Sequence, residues 1–199
     1  MPQHPPRPTG SLLERKRRLV QQRILEAADE LFSANGFENV SVTDIAARAD
    51  VGRTTFFRYF GDKTEVVFAR EREVLDSIAT LAVDGLDAAR TTAEAVELLR
   101  SVVLDVCARV TSDHAEYERH SRLLALHPEL QARDALKAQQ IAEMLGRALS
   151  SSGTDERIAV LAAHIALACY QTGRRQAATP AALTDETDAA FEEALKLGR

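Results

Sequence analysis

The chain has 199 residues, 45% of them apolar and 28% charged, with no tryptophan, ten other aromatic residues and a net charge of −5. That length supports one or two globular domains with a sizeable core, and the scarcity of Val-, Ile- and Thr-rich runs points to an all-α chain. No apolar stretch is long enough to span a bilayer, and the two cysteines, Cys107 and Cys169, stand too far apart and too few for a disulfide framework.

Residues 1–10 hold four prolines and no periodic apolar pattern, which predicts a disordered arm without the apolar core of a secretory leader. A cytoplasmic, reduced setting is therefore expected. Charge is unevenly spread. Residues 1–23 carry six basic side chains against one acid, whereas residues 64–199 carry 15 basic and 22 acidic ones. A basic head on an acidic body can attract DNA at one end only.

A first helix is predicted from about Ser11 to Asn35, its apolar positions Leu19, Ile24, Ala27, Ala28, Leu31 and Phe32 recurring at helical spacing before Gly36. Ser41, followed three residues later by Asp44, opens a short helix from Val42 to about Ala49. After Asp50-Val51-Gly52 a second short helix runs from about Arg53 to Tyr59 and stops at Gly61. Asp62 then caps a helix expected to continue to about Leu81. Further on, helices are expected over Thr91 or Thr92 to Val110, Ala115 to Leu126, Pro128 to Leu149, a Thr154-capped stretch to Gly173, and Thr184 to Leu197.

Two short helices joined by a three- or four-residue turn, with small Ala46 and Ala49 at their crossing, satisfy the requirements of a helix-turn-helix. The second helix is expected to offer Arg53, Thr54, Thr55, Arg58 and Tyr59 outward, side chains of the kinds that reach base edges and phosphates. Lys63 lies just beyond and suits a phosphate. Arg15, Lys16, Arg17 and Arg18 would add salt-dependent affinity, with entry into a minor groove as one route.

The stretch SVTDIAARADVGRTTFFRYFGDKTEVV resembles the DNA-binding region of the TetR family of bacterial transcriptional regulators, and the preceding ILEAADELFSANGFENV is similar to that family's first helix and turn. The resemblance implies an N-terminal three-helix DNA-binding domain over residues 11–62. It also implies a C-terminal helical bundle over 63–199 for ligand binding and dimerisation. It adds Thr43 and Phe57 to the DNA-facing set. Three positions depart from the family pattern: Asp50 where Gly is usual, Gly52 where Ser or Thr is usual, and Phe57 where a Tyr hydroxyl often touches phosphate.

The implied function is a ligand-responsive regulator, a repressor by expectation, that binds a palindromic double-stranded operator as a homodimer and is released by a small apolar or amphipathic effector. The helix starting at Lys63 is the expected lever, and the helices around Ile158–Tyr170 and Ala189–Leu195 the expected dimer face. Polar candidates for the effector pocket are His114, Tyr117, His120, Arg122 and His164, with Arg119 and His127 nearby. The segment ERHSRLLALHPELQAR resembles the ligand domain of a subgroup associated with acyl-CoA-like ligands.

An enzyme is not expected. The chain lacks a Gly-rich phosphate loop, a His-Glu-x-x-His motif and a nucleophile elbow, and His114, His120 and His127 are wrongly spaced to share one helix face around a metal. No cofactor or membrane partner is indicated. A helical sensor whose partner is a protein is the alternative.

Overall fold

A computed structural model describes residues 12–69 and 86–197. The expected disorder of residues 1–10 and the expected helix over 70–81 lie outside these. The chain divides into two compact units, residues 1–69 and 70–199. The first unit therefore retains the segment after Lys63 that the sequence reading assigned to the second.

In the first unit α1 spans Leu12–Asn35, α2 Val42–Arg48, α3 Arg53–Tyr59 and α4 Lys63–Val67. The apolar stripe of α1 buries Ile24, Leu25, Ala27, Ala28 and Phe32 with Ile45, Ala46, Phe56 and Phe60 in one small core. Leu19, read from its spacing as part of that stripe, stands 62% exposed, and Leu31 is half-buried. Gly36 ends α1 with a φ of 77°, a left-handed conformation that a Cβ would strain, and its N–H donates to the Phe32 carbonyl at 3.0 Å. The segment α4 is short: the backbone leaves helical geometry at Phe68.

The second unit contains α5 (Thr92–Val110), α6 (His114–Leu126), α7 (Pro128–Ser151), α8 (Glu156–Gln176), a 3₁₀ turn over Pro180–Ala182 and α9 (Leu183–Lys196). His127, extended at φ −128° and ψ 102°, separates α6 from α7, as expected for the residue before a proline that starts a helix. The core joins Ala95, Val96, Leu99, Val103 and Cys107 of α5 to Leu145 and Leu149 of α7, the alanines of α8, and Leu183 and Phe191 around α9.

One cap differs from expectation. Asp155, not Thr154, caps α8, accepting from the Arg157 and Ile158 amides at 3.0 and 3.4 Å. Thr154 is buried, and its hydroxyl accepts the Ala89 N–H at 2.9 Å, 65 residues away in sequence. The hydroxyl satisfies a buried backbone donor that would otherwise carry a desolvation cost. That demand is set by tertiary packing and is invisible to local cap patterns.

Small side chains determine how closely the long helices approach. Gly146 of α7 lies against Ala163 and the Ala159 carbonyl of α8. At the other end of the same pair, Arg174 of α8 donates to Asp134 of α7 at 2.8 Å, so the two helices run antiparallel. Gly173 faces Thr187 of α9 so closely that a Cβ there would stand 2.7 Å from the Thr187 backbone nitrogen and Cα.

Candidate nucleic-acid interface

The helix-turn-helix is held by hydrogen bonds that its sequence specifies. Ser41 and Asp44 form a full capping box: the Asp44 N–H donates to Ser41 Oγ at 3.2 Å, and the Ser41 N–H donates to the Asp44 carboxylate at 2.9 Å. The Ser41 hydroxyl also donates to that carboxylate at 2.6 Å. These bonds, the hydroxyl's first, hold the Asp44 pKa below its usual value.

The turn itself is a Schellman motif. The Val51 N–H donates to the Ala46 carbonyl at 2.9 Å, and the Asp50 N–H to Ala47 at 3.2 Å. Asp50 closes it with a φ of 52°. This is the position where the family pattern carries glycine, and aspartate is among the few residues that tolerate the left-handed region. Gly52, the next departure, opens α3 with no side-chain cap.

At about 100° per residue, the buried Phe56 marks the inward side of α3, with its ring 5.7 Å from that of Phe60. Arg53, Thr54, Phe57 and Arg58 are exposed, whereas Thr55 and Tyr59 are half-buried. The expected outward set is thus corrected at two places. Tyr59 and Thr55 share one side of the helix, about 60° and about 100° from Phe56 on the projection. Phe57, singled out in the sequence for the hydroxyl it lacks, stands 48% exposed.

Thr43 on α2 is exposed. So are Arg15, Lys16, Arg17 and Arg18, a continuous basic run at the start of α1. Lys63 has a structural task that the sequence did not reveal. Its ammonium donates to the Phe37 and Val40 carbonyls at 2.8 and 3.2 Å and lies 4.2 Å from the centre of the Phe37 ring. An ammonium has three N–H donors, so one remains for a phosphate.

Within the second unit, α5, α7 and α8 line a cavity that opens to solvent. Val102, Val103, Val106 and Val110 line it with Ile141, Met144, Leu145, Ala163, Ala166 and Leu167, and Asp134, Lys137 and Tyr170 supply its polar groups. The last three lie toward the α7 N-terminus and the α8 C-terminus, where the Arg174 guanidinium also sits 5.7 Å from the Tyr170 ring centre.

None of the five pocket candidates read from the sequence lines this cavity. His114, Tyr117, His120 and Arg122 belong to α6, which contributes no wall, and His114 and Arg122 are exposed. His164 is on α8 but exposed, with Nδ1 2.8 Å from the Val160 carbonyl and Nε2 3.2 Å from Gln139 Nε2. The wall is instead built of ordinary aliphatic residues at helical spacing.

Burial raises the pKa of the Cys107 thiol and pushes that of Cys169 up to about 11. Both thiols therefore stay protonated near neutrality, which makes them inert packing residues. No described helix is long and apolar enough to cross a membrane.

Residues 24–69 match the family model for bacterial regulatory proteins of the tetR family. Over nearly its whole length the chain is similar to the mycofactocin biosynthesis transcriptional regulator MftR of Mycobacterium tuberculosis, with 29% identity over 192 residues, 93% of this chain and 94% of that one. The transcriptional regulator TcmR of Streptomyces glaucescens is 42% identical over 60 residues, which make up 30% of this chain and 26% of the relative.

Two solved regulators share the fold. One, a TetR-family regulator from Mesorhizobium loti, has a TM-score of 0.51 at 19% identity, covering 92% of this chain and 98% of its own. The other, from Aquifex aeolicus, has a TM-score of 0.52 at 20% identity, covering 90% and 99%. The capped helix-turn-helix thus lies within a segment, residues 24–69, that matches the DNA-binding domain of bacterial regulatory proteins of the tetR family, and the described residues share the fold of two such regulators.

Proposed function

We propose that the protein is a homodimeric repressor whose α3 helices enter successive major grooves of a palindromic operator and whose second unit binds a small effector that releases the DNA. The observation that carries this reading is the exposed face of α3, where Arg53 and Arg58 flank Thr54 and Phe57 on a helix fixed from behind by Phe56. Arginine can bind guanine O6 and N7 bidentately, and Thr43, Lys63 and the Arg15–Arg18 run offer phosphate contacts around it.

The cavity supports the effector half of the proposal. Its aliphatic wall and polar end suit a molecule with an apolar body and a polar head, which includes acyl-CoA-like compounds. A dimer is supported by α8, on which Val160 and Leu161 leave 47% and 52% of their surface exposed on one side. Large apolar side chains grouped on a helix face suit burial against a second copy. Coupling would be reciprocal: DNA must weaken effector binding by the factor by which effector weakens DNA binding.

The test is titration of purified protein against the DNA flanking its own gene at several salt concentrations. Saturable binding to one palindromic site, weakening steeply with salt, is the expected result. Arg53→Ala and Arg58→Ala should each reduce affinity roughly tenfold to a hundredfold, about 1–3 kcal/mol. If both leave it unchanged, α3 is not the recognition element. A sharp, salt-insensitive interaction with a protein in place of DNA would favour the alternative sensor.

A further inference from the structure

The exposed side of α3 carries a phenyl ring, Phe57, and the arginines beside it do not explain why. On the helical projection Phe57 lies about 100° from Phe56, between the exposed Arg53 and Thr54, with Arg58 beyond Thr54. Phe57 meets Phe56 edge-on, with rings 5.6 Å apart and inclined at 86°, and half its surface stays open. A solvated phenyl on a DNA-facing side lowers solubility without serving the core, whose inward position Phe56 already fills.

A phenyl ring neither donates nor accepts a conventional hydrogen bond, so Phe57 cannot read the polar edges of bases or hold a phosphate. The C5-methyl of thymine is the apolar group that the major groove displays. Thr54, the next exposed residue round the projection, carries a γ-methyl with the same capacity. We propose that Phe57, with Thr54 beside it, reads a thymine methyl group in each operator half-site and so sets sequence preference between the positions its flanking arginines contact. This rests on the reading of α3 as the recognition helix.

The experiment starts with full-length protein selecting its preferred duplexes from a randomised pool. Each thymine of the selected site is then replaced singly by deoxyuridine, which lacks only the methyl. One thymine per half-site should weaken binding about fourfold on replacement, the worth of one buried methyl at about 0.8 kcal/mol. In Phe57→Ala that thymine should lose its sensitivity while other positions keep theirs. Phe57→Tyr, which retains the ring, should preserve the sensitivity and provides a second reading if the alanine variant does not fold.

Equal binding of thymine and uracil at every position overturns the proposal alone, as does a methyl effect that Phe57→Ala leaves intact. Failure of the pool to enrich any sequence overturns it together with the DNA-binding reading.

Discussion

The two units hold their helices together by different means. In the first, short helices are fixed at their ends: Ser41 and Asp44 cap α2, Asp50 turns the chain into α3, and Asp62 accepts the Glu65 N–H at 2.7 Å to start α4. Helices of five to seven residues are too short to be stable alone, so their caps carry an unusual share of their stability. In the second unit, helices of 13 to 24 residues are held along their length by small side chains at the crossings: Gly146 against Ala163, and Gly173 against Thr187. Local devices weigh more in the first unit and tertiary fit more in the second.

The sharpest way to break this comparison is at the closest helix approach. Gly173→Ala places a methyl against the Thr187 backbone, which no side-chain rotation can clear, so α8 and α9 must separate. Overpacking of this kind should cost about 3 kcal/mol, read as a lowered urea midpoint. Thr187→Ala should not rescue it, because the clash reaches the Thr187 nitrogen and Cα. Full rescue would show that the contact is only the hydroxyl's.

A cap deletion in the first unit should cost less. Ser41→Ala removes the acceptor for the Asp44 N–H and one donor to its carboxylate, and should lower stability by about 1 kcal/mol. The comparison predicts a further difference: the loss should appear in amide exchange of α2 and α3 while the α8–α9 amides keep their protection. Uniform loss across both units would mean that they unfold as one.

Acid should act on both units, through one carboxylate in each. Ser41 lowers the Asp44 pKa, and the Arg100 guanidinium, by its hydrogen bond, lowers that of Asp188. A carboxylate depressed in the native state binds its proton more readily when unfolded. Its stabilising contribution is therefore complete above the unfolded value of about 4 and is lost as pH falls through the lower native value. Asp188→Asn should make the urea midpoint less dependent on pH below about 4, with no change in slope near neutrality. The effect should be small, since Asp188 is a third exposed and Arg100 keeps Glu97 and Glu192 within 3.5 and 3.7 Å.

How much of each unit was legible in the sequence follows from the same contrast. Caps are local, so Ser41, Asp44, Gly36, Asp62 and the boundaries of α2 and α3 could be read from spacing, while the unusual turn residue Asp50 stood out only against the family pattern. Tertiary demands could not. Thr154 looked like a helix cap and instead accepts the Ala89 amide, and Lys63 looked like a phosphate ligand and holds two carbonyls of its own unit. The cavity escaped for a related reason. Its wall of Val102, Val106, Ile141 and Leu167 has the same pattern as any core stripe, and only the packing of α5, α7 and α8 leaves space in front of it.

The smallest predicted effects concern the two family departures in the turn. Asp50→Gly removes a left-handed strain of about 1 kcal/mol but frees the unfolded chain by a comparable amount. The two offset, and the urea midpoint should barely move. Gly52→Ser is different. A Cβ there meets nothing within 4 Å, and the residue is already extended, at φ −74° and ψ 151°, as a capping serine requires. The new hydroxyl can accept an amide from the first turn of α3, which now has no side-chain cap, and should add a few tenths of a kcal/mol. If caps fix the first unit, the gain should be confined to amide protection of α3. A gain spread evenly through both units, or a loss, would show that Gly52 is kept for the approach of its backbone to something else, and DNA is the partner that its place at the start of the recognition helix offers.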